Sequence, residues 1–219
     1  SLRIDAFSLD VMSRVQDVKK SSLTFAPEAG SQRMRNVINK GLTEEVILNG
    51  AMEAFHGGWN KVKLYFMLGL PFETDEDVKA IPELADLIAQ NYYTIPKDER
   101  NGRVKINASA SFFVPKPFTP FQWAPMNTDE EFLRKAYLAN DTMHQMLNHK
   151  SLSFQYHDAK TTVLEGILAR GDRKLSSLLL HIYEKGGIFD AWTEWFQPKL
   201  WMDTLEEDHI DVAFYTTRD

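Results

Sequence analysis

The chain has 219 residues, 43% of them hydrophobic and 12% aromatic, which is enough apolar material to bury a core and too much for a disordered segment. A net charge of −6 gives no general basic footprint, so nucleic-acid binding is not indicated, and zero cysteines exclude disulfides, thiolate metal sites and cysteine nucleophiles within this chain. No apolar run approaches the roughly 18 residues of a membrane span and no signal peptide opens the chain, so a cytoplasmic location without membrane contact is the expectation.

In chain order, Leu2 and Ile4 alternate with Arg3 and Asp5 as a strand without a lead-in, so the chain is expected to be a fragment of a longer protein. Ser8 is placed to cap a helix that buries Val11, Val15 and Val18. A short strand at 23–26 runs into a turn at 27–31, and Ser31 suits the N-cap of a helix carrying Met34, Val37 and Ile38. Thr43 starts another helix with Ile47, Ala51 and Phe55 inward, ended by Gly57-Gly58.

The stretch 61–77, KVKLYFMLGLPFETDED, is the one around which the rest is organised. Val62, Leu64, Phe66, Leu68 and Leu70 form an apolar face at period two, while Lys61, Lys63, Tyr65, Met67 and Gly69 point the other way. The run breaks at Gly69-Leu70-Pro71, and Thr74 followed by three acids opens a helix burying Val78, Ile81, Leu84 and Ile88. A strand at 104–114 leads to a Pro-rich exit at 115–120. Thr128 and Glu131 form a capping box for a helix carrying Leu133, Tyr137, Asn140, Met143 and Leu147. A last strand is expected at 152–157, and from 161 the pattern is helical with breaks at 171–172 and 186–187.

Strands alternating with helices of ordinary length imply a parallel sheet, and right-handed crossovers set successive strands side by side. One face of each strand is apolar. The other carries Arg3 and Asp5, Thr24 and Glu28, Lys63 and Tyr65, Asn107, Ser109 and Ser111, then Ser153, Gln155 and His157. A buried polar group without a partner costs about 1 to 3 kcal/mol, so these faces need one another, water or a ligand. They form either an internally satisfied network or, if the sheet curves into a barrel, a wet or ligand-filled cavity.

Three motifs together resemble the radical SAM superfamily, whose enzymes cleave S-adenosylmethionine on a 4Fe-4S iron-sulfur cluster. PEAGSQRMRNVINKG at 27–41 is similar to that family's fourth strand and ribose-contacting turn. YFMLGLPFETDED at 65–77 is similar to its fifth-strand G-L-P-G-E-T pattern, with Phe72 in place of the second glycine. FFVPKPFTPFQW at 112–123 resembles the sixth-strand exit. The closest resemblance is to an uncharacterised bacterial branch with an N-terminal cobalamin-binding-like domain, whose C-terminal extension looks like ARGDRKL at 169–175 and FDAWTEWF at 189–196.

The resemblance implies an α/β fold, a partial parallel (β/α) barrel, half TIM-like, with a C-terminal helical extension. Residues 1–125 would form the partial barrel and 126–219 its final elements and the extension. Leu2 to Asp5 would be the family's third strand. The CxxxCxxC segment that supplies the cluster thiolates is absent, so this chain is expected to be inactive alone and to hold neither cofactor tightly. Its partner would be the missing N-terminal part of the parent protein, and the exposed edge at 2–5 also predicts self-association.

By the same resemblance, Glu28, Gly30, Ser31, Gly69, Pro71 and Val114 are the cofactor-binding candidates. Glu28 would accept hydrogen bonds from the cofactor's amino group or ribose, Ser31 would contact ribose, and Val114 would contact adenine. Each has an ordinary structural alternative: a paired acid, a helix cap, a tight turn, a core valine. Glu73 is expected to hold the loop or helix start; Arg33 and Arg35, beside the ribose turn, are within reach of a phosphate or carboxylate but are expected to lie on the solvated surface. Lys63, Tyr65, Asn107, Ser109, Ser111 and His157 would line the substrate space. No catalytic residue is assigned. The histidines show no metal-ligand spacing, His144 and His149 falling on different helix faces. Trp192, Trp195, Phe196 and Trp201 are expected to anchor the tail helices, or else to form a docking surface. Two other functions stand beside the enzyme fragment: a non-catalytic protein-interaction module, and an unrelated (β/α)-barrel enzyme using a carboxylate or histidine at its strand ends.

Overall fold

The computed structural model describes residues 23–190, 192 and 194–217. The expected strand at 2–5 and the helix capped by Ser8 lie outside the described residues. Strands β1 (Leu23–Glu28), β2 (Lys61–Leu68), β3 (Lys105–Phe112) and β4 (Leu152–Tyr156) form one all-parallel sheet in the order β1-β2-β3-β4. Helices α1 (Gln32–Val37), α2 (Glu44–His56), α3 (Asp75–Thr94) and α4 (Asp129–Gln145) alternate with them. Helices α5 (Ala159–Arg170), α6 (Leu175–Glu184), α7 (Pro198–Glu207) and α8 (Val212–Thr216) follow. The chain is therefore α/β, as the alternation of periods implies.

Two compact units are present, one of 23–112 with 133–156 and the other of 113–132 with 157–217. The expected division at 125/126 runs through the second of them. In the first unit, Val62, Leu64, Phe66 and Leu68 of β2 and Ile106, Ala108 and Ala110 of β3 are all at most 1% exposed. Helix α3 packs on β2, β3 and β4, and also on α2. It buries Val78, Ile81, Leu84 and Ile88 as its period requires. Thr43 caps α2 by accepting from Val46 N at 3.2 Å, and Ile47, Ala51 and Phe55 face inward.

Strand lengths differ from expectation at the ends. β1 continues to Glu28 because the alternation of burial persists through Pro27, which lies where the β1-β2 register shifts and so costs no ladder bond. β3 and β4 stop short, at Phe112 and Tyr156. His157 lies past the end of β4, exposed and within the second unit, so it lies on no strand face.

Helix α4 is rotated relative to the expected stripe. Its buried residues are Phe132, Lys135, Ala136, Ala139 and Met143, while Tyr137 and Leu147 are exposed. Alanines at 136 and 139 permit close approach, and the charge that made this face look polar is neutralised: Lys135 Nζ lies 3.0 Å from Glu73 Oε2, both side chains being buried.

The second unit has its own core, in which Ile167 of α5, Leu178 and Ile182 of α6, Trp201 and Leu205 of α7 and Tyr215 of α8 pack together. Of the aromatic group near the C-terminus, Trp201 anchors this core, with Phe196 packed against it, whereas Trp192 and Trp195 are 61% and 59% exposed. No helix among the described residues is long and apolar enough to cross a membrane.

Candidate functional site

The C-terminal ends of β1 and β2 meet at one edge of the first unit, and three residues there have left-handed backbone: Glu28 (φ 67°), Gly69 (φ 81°) and Phe72 (φ 66°). For Gly69 this costs nothing. For Glu28 and Phe72 it costs on the order of 1 to 2 kcal/mol each, and strain of this kind collects where geometry serves function. Phe72 is also 76% exposed, so no packing of its ring repays the cost. It occupies a position with the backbone conformation that glycine favours. The Glu28 carboxylate is half-buried and pairs with Lys40 at 3.0 Å.

Asp77, in the first turn of α3, ties the two strand-end turns together. It accepts from Ser31 Oγ at 2.6 Å, from Arg33 Nε at 3.2 Å, and from Thr74 N and Thr74 Oγ1 at 2.8 Å each. Arg33 also pairs with Asp77 Oδ2 and donates to Phe72 O at 2.7 Å. Burial opposes the charge on Asp77. The bonds from Arg33, Ser31 and Thr74 outweigh it and hold the carboxyl well below the usual carboxylate range. Ser31 both caps α1, accepting from Met34 N at 3.0 Å, and donates to Asp77.

The β2-α3 turn is held from inside by Glu73, which accepts from Gly69 N at 2.8 Å and from Lys135 Nζ at 3.0 Å. Burial raises the Glu73 pKa, and Lys135 works against that rise. Glu73 thus holds the loop, as expected from its place. Gly30 is required by packing: a Cβ there would lie 2.3 Å from Ile81 N and 2.4 Å from Ala80 C of α3. Pro71 is half-buried in the turn.

Arg35 corrects the surface expectation. It is fully buried, and its guanidinium donates to Leu42 O, Ala29 O and Gly30 O at 3.0, 3.1 and 2.6 Å. Burial lowers its pKa, and three carbonyls in place of a carboxylate make it an internal strut for the turn at 27–31.

The polar strand faces line up. Thr24, Lys63, Asn107 and Ser153 are register partners across all four strands; Tyr65, Ser109 and Gln155 form the next row, and Met67 and Ser111 the third. Lys63 Nζ sits 5.0 Å from the centroid of the Tyr65 ring, and Ser153 Oγ donates to Asn107 Oδ1 at 2.7 Å. The face is open at Asn107, Ser153 and Gln155 and closed at Ser109.

Of the residues singled out in the sequence, Glu28, Gly30, Ser31, Gly69 and Pro71 therefore lie at or just past the C-terminal ends of the adjacent strands β1 and β2, and Lys63, Tyr65, Asn107, Ser109 and Ser111 share one face. Val114, half-buried, and His157, exposed, belong to the second unit. Sequence reasoning missed the Arg33-Asp77 strap, the Arg35 strut and the Glu73-Lys135 pair. Only Asp77 carried a signal, as an acid three residues after the Thr74 cap. No grouping of three or more His, Asp or Glu side chains suited to a metal ion occurs among the described residues.

No protein-family model matches the chain. The chain is similar to an uncharacterised protein of Methanocaldococcus jannaschii, 35% identical over 179 residues, covering 82% of this chain and 36% of that protein. It thus spans about a third of the length of the relative it matches.

Proposed function

We propose that this chain is the S-adenosylmethionine-binding and substrate-lining part of a radical SAM enzyme, and that its sheet is a segment of a (β/α) barrel. The observation that supports this reading most is the convergence of Glu28, Ser31 and the turn 69–72 at adjacent parallel strand ends, with left-handed backbone at Glu28, Gly69 and Phe72. Ligands of parallel sheets sit at the carboxyl ends of the strands.

The residues fit the two implied groups unequally. Ser31 Oγ and Gly69 N are committed to Asp77 and Glu73, so they position the mouth. The Glu28 carboxylate, shared with Lys40, is the acceptor that fits the amino or hydroxyl donors of S-adenosylmethionine. The iron-sulfur cluster does not fit: the chain has no cysteine, and no step of cofactor cleavage is assigned to residues here. Cleavage to a 5'-deoxyadenosyl radical belongs to the proposed whole protein, in which these residues bind and orient.

A nuclear magnetic resonance titration tests this. S-adenosylmethionine is expected to shift the amides of Glu28, Ser31 and Gly69 with a Kd around millimolar, about 4 kcal/mol, because the cluster that would anchor its methionine end is lacking. Submicromolar affinity, or shifts that avoid those residues, would refute it. A second reading, a protein-interaction module, draws on the exposure of Trp192 and Trp195; in that case the titration gives no response.

A further inference from the structure

We infer that the polar sheet face binds an oxyanion, a phosphate or carboxylate group of a small molecule, between Lys63, Asn107 and Ser153. The inference rests on the proposed function only in taking this face as the wall of the substrate space, and so names the class of substrate.

The face is cationic and rich in donors although the chain carries a net charge of −6. Lys61, Lys63 and Lys105 all project from it, and Lys61 stands directly opposite Lys105 in the β2-β3 register. Like charges directly opposite on paired strands repel, and an anion between them removes that cost. Among the described strand residues of this face the one carboxylate is Glu28, at the far rim and occupied by Lys40.

Lys63 is held over the Tyr65 ring, a contact that fixes the ammonium without neutralising it. Asn107 Oδ1 is taken by the Ser153 hydroxyl, which leaves the Asn107 amide hydrogens as outward donors. Thr24, Lys63, Asn107 and Ser153 form a row about 14 Å long at ordinary strand spacing. One ammonium beside an oriented amide donor suits an oxyanion better than a neutral sugar or a cation.

The test titrates the full chain with inorganic phosphate and, separately, with citrate at constant ionic strength, following backbone amides. Saturable shifts centred on Lys63, Asn107 and Ser153 are expected, and Lys63→Gln should weaken binding about tenfold, the share of one charge-assisted contact. Asn107→Ala, which keeps the lysine, should weaken it to a smaller extent. The stronger of the two probes identifies phosphate or carboxylate as the group recognised. Shifts that rise linearly, that sodium chloride reproduces, or that Lys63→Gln leaves unchanged in a folded variant would overturn the inference. S-adenosylmethionine is titrated in parallel. A response at Gly69 without an anion response at Lys63 removes this inference alone; the converse removes the cofactor reading and leaves the anion site standing.

Discussion

Replacing Asp77 by asparagine probes the strap that joins the two strand-end turns. The carboxylate accepts from Ser31, Arg33 and Thr74, three of these contacts being between 2.6 and 2.8 Å, and its side chain is 5% exposed. Asp77→Asn keeps one acceptor oxygen but loses the charge, one lone-pair-bearing oxygen and the ion pair with Arg33. A charge-assisted hydrogen bond contributes about 1.5 to 3 kcal/mol and a helix cap about 1, while the pairing with the half-exposed Arg33 is discounted for solvent screening. The sum gives a loss of about 2.5 to 4 kcal/mol at pH 7, which for a chain of this size lowers Tm by roughly 5 to 15 °C.

The pH dependence follows from the depressed carboxyl. Its folded pKa lies below its unfolded value, so its stabilisation is complete above the unfolded value, about 4, and is lost as pH falls from there through the folded value. Urea denaturation followed by far-ultraviolet circular dichroism should therefore show wild type and Asp77→Asn converging below about pH 4. A variant within about 0.5 kcal/mol of wild type at pH 7, with no convergence in acid, would refute the reasoning.

Three further substitutions address neighbouring claims. Gly30→Ala places a methyl within 2.4 Å of the α3 backbone and should cost about 2 to 3 kcal/mol in urea, whether or not any ligand is present. Phe72→Gly should be more stable than Phe72→Ala by about 1 kcal/mol, since both remove the exposed ring and glycine alone tolerates φ 66° freely; the reverse order would show that the turn is not left-handed there. Lys135→Met leaves the buried Glu73 carboxylate without its countercharge, with only the bond from Gly69 N remaining, at a cost of about 3 kcal/mol at pH 7. Burial already raises the Glu73 pKa and losing Lys135 removes what works against that rise, so this cost should shrink as pH falls toward the unfolded carboxyl value, about 4.

The elements that could be read from the sequence were those whose period was unbroken. β2 alternates without exception over Lys61–Leu68, and α3 has a cap, acids in its first turn and a clean apolar stripe, so both stand where they were expected. Helix α4 carries two overlapping apolar stripes that share Met143. Choosing between them depended on Lys135 finding a buried acid 62 positions away, which no local pattern encodes. Arg35 was misplaced for a related reason. A guanidinium is ordinarily solvated, and only the folded turn supplies the three carbonyls that make its burial tolerable. Glycine at 69 announced a turn, whereas the left-handed backbone of Glu28 and Phe72 goes against residue preference and was invisible before the chain was folded. For the mouth, residue types were legible and their commitments were not. Ser31 suits a helix cap and a ribose contact equally in sequence; the structure shows the cap, and adds a bond from its hydroxyl to Asp77 of which the sequence carried no sign.

The central claim is that the strand-end mouth of Glu28, Ser31 and the turn 69–72 receives S-adenosylmethionine. A crystal of the chain soaked in the cofactor at a concentration well above its expected millimolar Kd addresses it most directly. Density for the nucleoside against Glu28 and the 69–72 turn is the expected result; a well-diffracting soaked crystal with an empty mouth, or with the cofactor seated elsewhere, would contradict it.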